Sequence, residues 1–269
     1  MKRTFALMGT MLAACALACA QDDAGRVVVP ARNSSRPRVV VASSNNGSIT
    51  VKTYDGKDVI VESGNSERSR NRGRNGAPDG MHRIDVQDRG LVVEEADNTI
   101  TVQDHTPGGT HITITVPADT SLKLSSHNGS VDVEGVHGEI DVENHNGGIK
   151  LVNVSGTVLA DSQNGGIHVT MDRVDAGKPS AFSSVNGTID VTLPGDLKAS
   201  LKMRSSQGSI YSDFDMNVTS GRATTQKNNT SDGKFRVEFD RTVLATINGG
   251  GTDLTFNTVN GSILIRKKK

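Results

Sequence analysis

An all-β solenoid, a parallel β-helix-like roll of short strands and Asn-Gly turns, is the fold class this chain predicts. Two observations carry the prediction. Asn-Gly recurs along the chain, at Asn46-Gly47, Asn128-Gly129, Asn146-Gly147, Asn164-Gly165, Asn186-Gly187, Asn248-Gly249 and Asn260-Gly261, and a short alternating strand follows most of these turns. Between residues 128 and 167 the glycines at 129, 138, 147, 156 and 165 fall nine apart, with Asn-Gly marking every second one. A fixed step of this kind is the mark of a stacked, quasi-one-dimensional fold. The absence of helical spacing with caps beyond the N-terminal signal agrees with it.

Nine residues suit one short strand and a tight turn. A step of eighteen therefore makes one coil of two strands, stacked on the next by parallel pairing. This register puts Val131, Ile149 and Ile167 in one internal column, with Val133, Leu151 and Val169 beside them. Ile140 and Val158 then line the opposite wall, followed by Val142 and Ala160. Each buried aliphatic side chain contributes about 1.5–3 kcal/mol, and stacked columns give a core that no single coil could form. Asn tolerates left-handed turn angles and can hydrogen-bond its stacked copies. Later coils lengthen: Asn164 to Asn186 is 22 residues, Gly187 to Gly208 is 21, and Asp175–Pro179 is the expected insertion in the first.

A longer repeat overlies this one. Ile114–Asp119, Ser121–Leu124 and Asn128–Val131 recur downstream as Val191–Asp196, Ser200–Met203 and Gln207–Ile210. Strand, Pro-containing turn, strand, Gly turn and strand follow in the same order, which reads as one internally duplicated solenoid.

The composition fits. The chain has 269 residues, 29 Gly, 7 Pro, no Trp, 2 Tyr and 6 Phe, so its core is aliphatic and its turns are many. Thirty basic and thirty acidic residues cancel, which gives no argument for a nucleic-acid partner.

Residues 1–20 read as an export signal, with Lys2 and Arg3 ahead of an apolar run that is too short to span a bilayer. Two processing sites compete. Ala18-Cys19-Ala20 before Gln21 suits a general signal peptidase, whereas Leu12-Ala13-Ala14-Cys15 resembles a lipobox in which Cys15 becomes lipidated. Mass spectrometry of the mature N-terminus separates them. Both cysteines lie in this signal, so the mature body has no disulfide or thiolate site. Residues 21–37 read as a flexible tether, and residues 38–269 as a single solenoid domain with an Arg-rich insertion near 63–81.

These residues resemble the bacterial putative-adhesin family, a domain of unknown function related to head GIN domains. The run Ile247-Asn248-Gly249-Gly250-Gly251 through Thr258-Val259-Asn260-Gly261-Ser262-Ile263 carries the likeness most strongly, and Val116-Pro117 to Gly129-Ser130-Val131 looks like the family's other recurrent unit. The resemblance implies a β-solenoid or rolled-sheet body, an envelope or surface location and a role in surface interaction. It implies no catalytic residues.

Several groups are candidate sites. In the predicted register Asp132, Lys150, His168 and Asp190 form one exposed ladder, with acid beside base and His beside acid, a favourable order. This ladder is the candidate binding face. His127 and His145, one period apart, read as part of a polar edge ladder. A transition metal shared between the two imidazoles is the alternative, and Gln163 ends the His column. Arg68, Arg70, Arg72 and Arg74 alternate in a Gly/Ser/Asn-rich stretch that reads as a solvated loop or an anion-contact loop for phosphates of lipid or envelope polymers. Carboxylates cluster at Asp132, Glu134, Glu139, Asp141 and Glu143, but residues nine apart fall on opposite walls, so Asp132 and Asp141 do not converge. No nucleophile elbow, P-loop, H-E-x-x-H pair or Rossmann fingerprint appears.

The expectation is a non-catalytic, cofactor-free binding or structural module of the cell envelope. Its partner is a protein, glycan or lipid of the envelope, and its only membrane contact is a lipid anchor. Two alternatives stand beside it: a polysaccharide lyase or hydrolase on a parallel β-helix, and an envelope-stress sensor that binds peptides or lipids through the Arg-rich loop.

Overall fold

The computed structural model describes residues 26–31, 37–65, 90–106, 109–220, 224–229, 235–240 and 242–269. The described residues form strands and turns, with no helix. The strands before the first regular coil are β1 (Arg26–Val29), β2 (Arg38–Ser44), β3 (Ile49–Tyr54), β4 (Val59–Asn65), β5 (Leu91–Ala96), β6 (Thr99–Asp104) and β7 (Thr110–Pro117). The central coils are β8 (Thr120–Asn128), β9 (Val131–Glu134), β10 (His137–Asn146), β11 (Ile149–Asn164), β12 (Ile167–Val174), β13 (Ser180–Asn186) and β14 (Ile189–Leu193). The C-terminal part adds β15 (Ala199–Gln207), β16 (Ile210–Ser212), β17 (Met216–Ser220), the separate hairpin β18 (Thr224–Asn229) and β19 (Phe235–Asp240), then β20 (Thr242–Ile247), β21 (Thr252–Asn260) and β22 (Ile263–Lys267).

Two walls face each other. Along the front wall the parallel order is β6, β2, β8, β10, the second half of β11, β13, β21 and β15. Along the back wall it is β7, β3, β9, the first half of β11, β12, β14, β22 and β16. Antiparallel strands close both ends. β5 pairs with β6, and β4 with β7. At the far end β20 pairs with β15, and β17 with β20.

The predicted columns are present. Val131, Ile149, Ile167 and Ile189 pair in register on the back wall, and the column extends through Ile49 to Ile112 at one end and through Ile263 to Ile210 at the other. Val133, Leu151, Val169 and Val191 stack beside it. Opposite them Ile140 pairs with Val158 and Val142 with Ala160. All these side chains are buried except Ile210, which is partly covered. Phe182 and Phe256 fill the space next to the small Ala160, with ring centroids 5.1 Å apart.

The coils do not stack in chain order. The N-terminal coil β2–β3 lies between the β6–β7 coil and the β8–β9 coil, and the C-terminal coil β21–β22 lies between β13–β14 and β15–β16. Gly208 therefore packs against Gly261 and not against Gly187, as a continuous coil from Gly187 to Gly208 would require. The two Pro-containing turns of the longer repeat are the places where the chain passes over one rung, from β7 to β8 and from β14 to β15. The repeat thus records two equivalent jumps, each bridged by a chain-terminal coil.

Two boundaries differ from the sequence reading. Arg26–Val29, within the expected tether, is strand β1 and pairs antiparallel with β4. Ser63–Asn65, within the expected insertion, belongs to β4. The remainder of that insertion, with Arg68, Arg70, Arg72 and Arg74, lies outside the described residues, as do the signal segment and Cys15.

The Asn-Gly corner joins the front wall to the back wall and has three layers. Outermost, Asn128, Asn146, Asn164, Asn186 and Asn260 each donate a side-chain Nδ2–H to the Oδ1 of the neighbouring Asn, at 2.9, 3.0, 3.0, 2.8 and 2.7 Å, in a ladder that ends on Asn46. Next, each turn glycine beyond Gly47 packs against the carbonyl of the glycine beside it, and Gly47 packs against that of Thr110. Innermost, Ser126, Asn144, Ser162, Ser184, Thr258 and Ser205 donate to the carbonyls of Gly47, Gly129, Gly147, Gly165, Gly187 and Gly261. The glycines at 138 and 156 stack likewise in the opposite corner, which explains the nine-residue alternation. Asn146→Ala removes two ladder bonds, and at about 0.5–1.5 kcal/mol each the melting temperature is expected to fall by several degrees. A thermal scan with no shift would mean that the ladder adds nothing to stability.

Candidate binding face

The outer surface of the back wall carries the predicted ladder. Lys150 pairs in register with Asp132 on one side and His168 on the other, and His168 pairs with Asp190. These residues alternate with Val131, Ile149, Ile167 and Ile189, so burial of the aliphatic column forces the polar side chains outward. Neighbouring strands set their spacing at about 4.7–4.9 Å.

Each carboxylate has a partner. Ser130 Oγ donates to Asp132 Oδ2 at 2.9 Å. Arg266 Nε donates to Asp190 Oδ1 at 2.8 Å, while His168 Nδ1 lies 3.8 Å from Asp190 Oδ2. The hydrogen bond and charge of Asp190 hold the Arg266 guanidinium protonated beyond its ordinary range. The Lys150 side chain makes no ion pair or hydrogen bond among the described residues. A shallow groove of about 450 Å³ runs along this ladder, from Ser130 to Thr188.

Arg266 was not expected here. It arrives because β22 stacks on β14, a contact between residues far apart in sequence. The motif that could have placed it was visible: Asn260-Gly261-Ser262-Ile263 has the same form as Asn186-Gly187-Thr188-Ile189.

The other candidates separate. His127 and His145 lie in adjacent coils of the front wall and stack at 4.5 Å between centroids with 10° between planes. The in-plane lone pairs of parallel rings run side by side instead of meeting at one point, so holding one ion between them would need a ring rotation. Among the described residues no group of three or more His, Cys, Asp or Glu could hold a metal. The carboxylates do divide between the walls. Asp132 and Glu134 are on β9 of the back wall, and Glu139, Asp141 and Glu143 on β10 of the front wall. Glu139 pairs with Lys178 from the 175–179 insertion, and Asp141 lies 3.7 Å from Lys123. The Glu139 contact raises the Lys178 pKa. These pairs line a second groove of about 730 Å³ on the front wall, which the sequence reading did not locate.

An all-β stack with a polar, register-locked outer face defines a β-solenoid-like fold. The chain belongs to the Toastrack DUF4097 family, whose model matches residues 21–241. The run from Ile247 to Ile263, which carries the strongest likeness to the putative-adhesin family by sequence, lies beyond the matched residues. No curated protein matches the chain. Among solved structures it is similar to a putative cell adhesion protein from Clostridium sporogenes, at 11% identity and a TM-score of 0.46, over 90% of this chain and 99% of the other. It is also similar to a putative adhesin from Bacteroides fragilis, at 12% identity and a TM-score of 0.31, over 91% and 98%.

Proposed function

We propose that the protein is a non-catalytic binding module of the bacterial cell envelope, and that the outer face of the back wall is its recognition surface. The observation that carries this reading is the ladder Asp132, Lys150, His168, Asp190, held at rung spacing by the buried column beneath it. Strands paired on both sides cannot slide without moving their aliphatic side chains out of the core, so the polar groups are positioned before any ligand arrives. The export signal read in residues 1–20 would deliver the module to the envelope.

Sedimentation with washed bacterial envelopes tests the reading. The Lys150→Ala, His168→Ala double variant is expected to lower the bound fraction about tenfold, the loss of one or two charge-assisted contacts. Both side chains are on the surface, so the melting temperature should stay near that of the unaltered protein. Unchanged sedimentation would remove this face from consideration.

A further inference from the structure

Within the groove, two glycines have no evident structural duty. At the corner between the walls, the residue that follows the Asn-Gly or Gln-Gly pair stacks from rung to rung, in the order Ser48, Ser130, Gly148, Gly166, Thr188, Ser262 and Ser209. Five of these seven rungs carry a hydroxyl here, and two do not. At Gly148 an added Cβ would have Gly166 O as its nearest neighbour, at 3.6 Å, an ordinary contact. At Gly166 it would lie 3.3 Å from Thr188 O, a fit that needs a shift of a few tenths of an ångström. Neither glycine has a left-handed φ. Their predecessors are different: a Cβ on Gly147 or Gly165 would lie 2.2 or 1.9 Å from a backbone oxygen. The fold therefore requires Gly147 and Gly165 but tolerates a side chain at 148 and 166.

Omitting those two side chains opens the groove of about 450 Å³. Its floor is backbone and the flanks of Ile149 and Ile167, its ends are the hydroxyl-bearing Ser130 and Thr188, and Lys150 stands at its side. Bare backbone permits close approach by a slender chain. Asp190 is engaged by Arg266 and Asp132 by Ser130, so Lys150 is the cation left to meet an incoming anion.

We infer that this two-glycine notch is a subsite for an acidic polysaccharide, with a uronate carboxylate on Lys150 and sugar hydroxyls on Ser130, Asp132 and Thr188. The inference rests on the binding-module reading and narrows it to one ligand class. A protonated amine paired with a carboxylate supplies the charge-assisted contact, and the carboxylate and hydroxyls at the groove ends match a hydroxylated chain.

Calorimetric titration with oligogalacturonate, a neutral oligosaccharide of equal length and inorganic phosphate is the test. Oligogalacturonate is expected to bind, the neutral chain and phosphate to bind at least about tenfold more weakly, and Lys150→Ala to lose about tenfold in affinity. The Gly148→Ser, Gly166→Thr variant restores the residues found on the other rungs. It is expected to keep its fold by circular dichroism and to lose oligogalacturonate binding. Undiminished binding by this folded variant would overturn the notch, as would equal binding of the neutral chain. Should the double variant lose its fold, the amide signals of Gly148 and Gly166 in the unaltered protein decide: shifts confined to their neighbourhood on titration support the subsite, and shifts elsewhere overturn it. Envelope sedimentation that depends on Lys150, without oligogalacturonate binding, would sink the ligand class and leave the binding face standing.

Discussion

Ending the chain after Gly251 is expected to abolish its cooperative unfolding transition, although less than a tenth of the residues is removed. The lost coil, β21–β22, lies inside the stack. β21 pairs with β13 on one side and β15 on the other, and β22 with β14 and β16. Without it β15 keeps only β20 as a partner, and β16 keeps none. Leu254, Phe256, Ile263 and Ile265 are all buried, and at about 1.5–3 kcal/mol each they represent most of the roughly 5–15 kcal/mol net stability of a domain. A circular dichroism melt of the truncated chain should show no sharp midpoint, and a peptide of residues 252–269 added during refolding should restore one. Lys268→Ala is the control at the same end. It removes an exposed ion pair to Asp172, worth about 0–1 kcal/mol, so its melt should hardly move. A truncated chain that melted like the full one would show that the interleaved arrangement is wrong.

The same interleaving marks the limit of what could be read from the sequence. Stacking between consecutive coils repeats at a constant offset, so the column Val131, Ile149, Ile167 and the ladder above it were legible from spacing alone. The terminal coils join at other offsets. Asn128 bonds Asn46 across 82 residues, and Asn260 bonds Asn186 across 74. No periodicity signals such contacts, so Arg266 and the true neighbours of Gly208 were missed. The antiparallel end strands were hidden for a related reason: alternation gives a strand its faces but not its direction. The buried donors two positions before the turn Asn residues, Ser126, Ser162, Ser184 and Thr258, are small polar residues that sequence alone does not separate from solvent-facing ones. Gly148 and Gly166 were visible too. Telling them from Gly147 and Gly165 required distances.

Those distances support the second large effect. Gly165→Ala is expected to cost about 3 kcal/mol or more, a fall of about 6–12 °C in melting temperature. The new Cβ would lie 1.9 Å from Gly147 O and 2.5 Å from Gly147 C, both backbone atoms of the adjacent rung. That backbone has no room to retreat, because Gly147 packs in turn on Gly129 O at 2.2 Å from its own Cβ position, and its carbonyl receives Ser162 Oγ–H. Relief would require the rungs to part, which would stretch the Asn164–Asn146 and Asn186–Asn164 bonds on the outside and the aliphatic columns within. Gly148→Ala, in the adjacent rung and one residue past its turn glycine, meets nothing closer than 3.6 Å and is expected to melt within about 1 °C of the unaltered chain. The contrast isolates backbone proximity from the general entropy of replacing glycine, which both variants share. Equal melting of the two would mean that the turn glycines serve only conformation and that the corner is looser than the stacked carbonyls indicate.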